Sequence, residues 1–204
     1  MIGETIRTEF EALKNDFETI RQQIEDDVVR TELYKGEFYE LTPYSYQRNG
    51  CKQGKPVKRP DTVKNTKNLC IYGFNNQNQI VEVKVGCSIE NQFYHTFLYY
   101  TDNLVKSILY DNGKHLMNVC HNFFEGGKLK RLQLCGSHGS REENYIYKEN
   151  ALTHIEIKQY DIDGKSGSDL VHIFQYQDDG TLETITKSFP NGYSEIIYKT
   201  KRGC

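Results

Sequence analysis

The chain has no tryptophan, only two alanines (Ala12 and Ala151) and only four prolines in 204 residues. Scarce alanine removes the best helix former, while 15 tyrosines and 10 phenylalanines suit the half-buried surface of a sheet. No apolar run approaches the ~18 residues that a membrane-spanning helix needs. The opening residues, Met1 to Arg7, show neither the basic start nor the apolar core of a secretory leader, so a cytoplasmic location without membrane contact is expected. There is no C-x-x-C pair among Cys51, Cys70, Cys87, Cys120, Cys135 and Cys204, which read as buried or free thiols. A net charge of −2 with 26% charged residues excludes a disordered tail and a general nucleic-acid coat.

What is present falls into three zones of one expected domain. In residues 1 to about 32, apolar side chains recur at Ile2, Ile6, Phe10, Leu13, Phe17, Ile20, Ile24 and Val28. Steps of three and four put them on one narrow stripe of a helix. With no proline inside, the pattern predicts one helix of about 27 residues, roughly 40 Å long. Such a helix can dock on the protein's own sheet or serve as a homodimer seam. The zone holds nine acids and four bases, net −5.

Residues 43–68 contain three of the four prolines and little apolar periodicity. Arg48, Lys52, Lys55, Lys58, Arg59, Lys64 and Lys67 stand there against Asp61 alone. A long loop is expected, either solvated against the acidic helix or serving as a docking arm. Tyr44 and Tyr46 lie only at its start, which argues against nucleic acid and for an acidic protein partner.

Residues 69–200 alternate short β-prone runs with turn signals. Asp111-Asn112-Gly113-Lys114 and Asn191-Gly192 read as type I′ hairpins, with Glu125-Gly126-Gly127-Lys128 and Asp178-Asp179-Gly180-Thr181 close behind. An aliphatic after each turn recurs at Ile80, Leu104, Leu129, Leu152 and Leu182, in steps of 24, 25, 23 and 30 residues. A period of that size marks a repeated hairpin. The expected fold is mainly β: a long N-terminal helix and a curled antiparallel meander of about eleven or twelve strands, as an open sheet or a barrel.

Tyr160-Asp161-Ile162-Asp163-Gly164-Lys165 resembles the YD repeat of Rhs-type proteins. Tyr176-Gln177-Asp178-Asp179-Gly180-Thr181-Leu182 lacks the pattern's Asp, and Tyr110-Asp111-Asn112-Gly113-Lys114 is one residue short. Phe123-Phe124-Glu125-Gly126-Gly127-Lys128-Leu129-Lys130 is similar to the hairpin units of MORN-like repeat antitoxins. The resemblance covers about a third of the last zone. It implies hairpin-repeat architecture and an association with bacterial toxin–immunity systems, and it transfers no catalytic residue.

The remaining chemistry is sparse. A hairpin turning at Gly126-Gly127 is expected to put Cys120 and Cys135 on one face, with His121 on the other, which spoils a four-ligand metal site. Asp161 to Asp169 departs from a calcium loop at Lys165 and Ser166. The six histidines (His95, His115, His121, His138, His154, His172) are scattered, and no nucleophile elbow or Gly-rich cofactor loop occurs. The reading is a non-enzymatic interaction protein without cofactor, of the immunity or antitoxin type. Its alternative is a small-molecule carrier with a cavity inside the curled sheet.

Overall fold

A computed structural model describes residues 4–59, 63 and 65–200. Ile2, Lys64 and Cys204 lie outside the described residues. Two short helices, α1 (Glu4–Ala12) and α2 (Phe17–Asp27), precede β1 (Arg30–Lys35), a one-turn α3 (Ser45–Arg48) and a two-residue β2 (Lys55–Pro56). Eleven strands follow: β3 (Leu69–Phe74), β4 (Ile80–Gly86), β5 (Phe93–Tyr100), β6 (Leu104–Tyr110), β7 (Leu116–Glu125), β8 (Lys128–Gly136), β9 (Gly139–Lys148), β10 (Ala151–Tyr160), β11 (Ser166–Tyr176), β12 (Leu182–Ser188) and β13 (Ser194–Lys199).

The thirteen strands among the described residues form one antiparallel sheet. From β3 to β13 each strand pairs with the next, while β1 lies between β3 and β2. The end strands β2 and β13 share no ladder, so the sheet is open. The repeated aliphatics Ile80, Leu104, Leu129, Leu152 and Leu182 stand at the first or second residue of β4, β6, β8, β10 and β12. The sequence period is therefore one hairpin.

One turn is used five times among the described residues, opening at Asn75, Asp111, Asp161, Gln177 and Phe189. In each, the amide of the first residue donates to the carbonyl of the fifth, and the fourth donates back to the first, at 2.9–3.1 Å. The fourth residue is left-handed: Asn78, Lys114, Gly164, Gly180 and Gly192. Asp111 and Asp161 accept backbone amides through their carboxylates, which is why a Tyr-Asp-x-x-Gly string suits this turn. The expected type I′ turns at Asn112-Gly113 and Asn191-Gly192 are thus corrected: positive φ falls on Lys114 and Gly192 alone. Gly126 and Gly127 both have positive φ, as a two-residue I′ hairpin requires.

Lys114 holds a backbone conformation that costs an L-residue roughly 1 kcal/mol. Its exposed ion pair to Glu18 offsets little of that. Lys114→Gly is expected to stabilise the protein by about 0.5–1 kcal/mol, after the extra freedom glycine adds to the unfolded chain. A calorimetric Tm at or below wild type would refute this.

The long N-terminal helix is not found. The chain breaks at residues 13–16, where Asn15-Asp16 favours a local turn over helix interior. The apolar stripe is nevertheless continuous: Ile6, Phe10, Phe17, Ile20 and Ile24 are buried on the outer face of the sheet, against Phe97, Tyr110 and Val119. α1 lies over β7 and β8, and α2 over β4 and β5. One straight rod cannot follow a curved surface; two short ones can. The Leu13 carbonyl accepts the Asp16 amide at 3.2 Å across the break and the Tyr110 hydroxyl at 2.7 Å, which ties the break to the sheet. These stripe residues are spent on the chain's own sheet. The helices' acidic residues meet the sheet, Glu9 with Lys106 and His121, Glu25 with Lys84, so the basic segment is not their counterpart.

The inner face carries two more clusters, one around Tyr34, Tyr72 and Phe74, the other around Tyr145, Ile155 and Phe174. Among the described residues, seven of the twelve strand pairings carry a register shift. Such bulges bend and twist strands, and they curl the sheet here. One of them, at Phe123/Phe124, pairs Cys120 with Leu134 and Cys135 with Val119. The two cysteines therefore lie on opposite faces, Cys135 beneath the helices and Cys120 inside, against the shared face expected from an unbulged hairpin. A one-residue slip reverses every side chain beyond it.

Candidate functional site

The site is built by the segment between β1 and β2, which crosses the inner face as a strap. Its first end is held by rings: Phe38 stacks on Tyr34 at 4.2 Å, and Tyr39 meets Tyr72 edge-on at 5.0 Å. The Phe38 amide donates to the Tyr72 hydroxyl at 2.9 Å. Further along, α3 touches β13, and a small hollow beside Ser45 is walled by Tyr72 and Val83. The inner face thus wraps round α3 from both ends of the sheet. The return path is tight, because Gly54 donates to the Glu37 carbonyl at 2.5 Å, and a Cβ there would stand 2.2 Å from the Gly36 carbonyl oxygen.

Arg48 pins the far end. Its guanidinium donates to Glu143 on β9 at 2.9 Å and, through Nε, to Nδ1 of His172 on β11 at 3.2 Å. The two charged side chains are 8% and 4% exposed. The Tyr145 hydroxyl donates to the same Glu143 oxygen at 2.7 Å, and Arg141 holds the other at 2.5 Å. Burial pushes the Glu143 carboxyl up, but the charges of Arg48 and Arg141 outweigh it and hold it below the ordinary carboxylate range. Burial and then the Arg48 charge push His172 down to about 4, which keeps Nδ1 free to accept. Both Glu143 oxygens are engaged, so this cluster fastens the strap. Arg48, expected as a partner-binding residue, is corrected: it is turned inward.

The other basic residues of the segment take a different place. Lys52, Lys55, Lys58, Arg59 and Lys67 are exposed. On the sheet edge Lys35 stands directly opposite Lys55. Tyr44 and Tyr46 turn inward, Tyr46 buried and Tyr44 against Phe174 at 5.3 Å. The expected long loop is therefore an anchored strap with an outward basic side.

Beneath strap residues 39–42 lies a hollow of about 710 Å³. Its floor is the inner face of β5–β8: Thr96, Leu98, Val105, Ser107, Leu109, Asn118, Cys120, Asn122, Phe124 and Leu134. Arg30, Glu32, Asn78 and Gln79 form the rim. Hydrogen bonds from Tyr39, Tyr34 and Arg30 keep Glu32 below its usual pKa, as a carboxylate already occupied by the protein. Burial pushes the Cys120 thiol up to about 12, so it is neutral. Among the described residues, no group of three His, Cys, Asp or Glu side chains could hold a metal.

Of these floor residues the sequence offers Cys120 alone as a site candidate, and Phe124 as part of a hairpin repeat. The available signal was Asn118, Cys120 and Asn122 alternating on a strand whose inner positions are otherwise apolar. The fold is an open, curled meander crossed by a strap. No family model, no curated protein and no solved structure matches the chain.

Proposed function

We propose that the protein is a non-enzymatic interaction protein whose outward strap surface grips an acidic protein partner, as an immunity or antitoxin-type inhibitor would. One observation carries this reading. Lys35, Lys52, Lys55, Lys58 and Lys67 are exposed near one sheet edge, and none makes an ion pair among the described residues. Like charges opposed across a strand pair repel, so an acidic surface laid over Lys35 and Lys55 removes a local strain. The strap is fastened at both ends, which lowers the ordering cost of binding. Its tyrosines face inward, which leaves no stacking platform for nucleic acid bases. The likeness to YD and MORN-like hairpin repeats supports the immunity-type reading.

The triple variant Lys52→Gln, Lys55→Gln, Lys58→Gln tests it on immobilised polyglutamate. Wild type is expected to elute at clearly higher salt than the variant, with equal Tm values. Coincident elution, or tighter retention of wild type on single-stranded DNA than on polyglutamate, would overturn the proposal.

A further inference from the structure

The hollow is independent of the basic edge and has its own chemistry. Its floor combines aliphatic side chains with neutral hydrogen-bonding groups. Leu98, Ser107, Cys120 and Leu134 form one row across four strands, and Thr96, Leu109 and Asn118 form the next. Asn118 and Asn122 lie four residues apart on β7, about 13 Å at the usual strand rise. Phe74 and Tyr100 supply ring surface on the walls, and Phe124 on the floor.

The charged groups of the wall are already committed. Arg30 lies over the Phe74 ring at 3.9 Å and donates to Asn78 and Glu32, and Glu32 accepts from two tyrosines. Glu40 faces α3, accepting from Ser45 and from the Tyr46 amide. Among the described residues lining the hollow, no uncommitted cation is present to hold a phosphate or carboxylate, and no uncommitted anion to hold an amine. The Asn118 amide, by contrast, has no side-chain hydrogen bond among the described residues. The Asn122 amide, 5% exposed, accepts only a long contact from Cys120 at 3.8 Å. Pockets of 300–1,000 Å³ with an apolar lining and a few convergent polar groups are the usual shape of small-molecule sites.

We infer that the hollow binds an uncharged small molecule with an aromatic or heteroaromatic ring. The ring lies on the Leu109–Leu134 floor, and its polar edge pairs with the Asn118 or Asn122 amide. An amide offers a donor and an acceptor side by side, which matches a ring carrying both. The strap residues Tyr39 to Thr42 close the site from above.

The test uses the full chain and two fragment sets in ligand-observed NMR: neutral ring compounds, and matched rings bearing a carboxylate or an ammonium. Neutral rings are expected to give competing hits that lose at least tenfold in affinity in Leu134→Trp, which fills the floor, and in one of Asn118→Leu and Asn122→Leu. Ser107→Phe serves as a second filled variant if Leu134→Trp does not fold. The triple lysine variant is expected to keep the hits, which separates this outcome from that of the basic edge. No neutral hit, hits unchanged in the folded filled variant, or preference for the charged set would each overturn the inference.

Discussion

Arg48→Met is expected to lower stability by about 3 kcal/mol, the low end for breaking a buried ion pair, because Arg141 still faces Glu143. For a chain of this size that is a fall in Tm of roughly 6–12 °C. The cause is less the lost attraction than the carboxylate left inside with half its compensation. The strap also loses its far pin, so protease cleavage between residues 49 and 54 should quicken before global unfolding does. The double variant Arg48→Met, Glu143→Leu should regain part of the loss, since an uncharged pair needs no compensation. A single variant as stable as wild type, with unchanged cleavage, would show that the strap is held by its aromatic end alone.

Acid should loosen the same end. His172 titrates at about 4 in the folded protein against about 6.5 unfolded. Between those values the unfolded chain binds more protons, so stability rises with pH there. Its contribution is complete above pH ~6.5 and is lost as pH falls toward 4, and a shift of this size corresponds to about 3 kcal/mol. Glu143, with its pKa lowered, acts in the same direction, and its share disappears below the ordinary carboxylate range. Burial is the main cause of the shift and the surrounding charges add to it: a protonated ring would face Arg48, Arg141 and Lys187 with Glu143 to balance them. His172→Gln keeps an acceptor for Arg48 and removes the titration. Its unfolding free energy should stay nearly level between pH 6.5 and 5, where wild type declines. Parallel curves for the two proteins would refute this.

Much of the architecture was legible because it is local. Each hairpin is set by a few adjacent residues, and the periodic aliphatics mark the second strand of each pair. The break at Asn15-Asp16 was also written locally, in two residues that favour a turn with no proline among them. The facing of Cys120 and Cys135 was not legible, because a single bulge at Phe123/Phe124 decides it and bulges leave a weak sequence trace. Arg48 was grouped with its basic neighbours by composition, although its partners lie 95 and 124 residues away. Asn118 and Asn122 were passed over for a related reason: a polar residue on a strand looks solvent-facing until the curl of the sheet is known.

By itself the sequence determined the class of fold, the hairpin period and the amphipathic stripe, since turn chemistry and side-chain alternation act over a few residues. The tertiary structure alone decided which face the helices cover, that the basic segment is an anchored strap, and that a hollow lies beneath it. Those outcomes depend on how thirteen strands accumulate twist and where distant side chains meet, and no short window of residues carries that information.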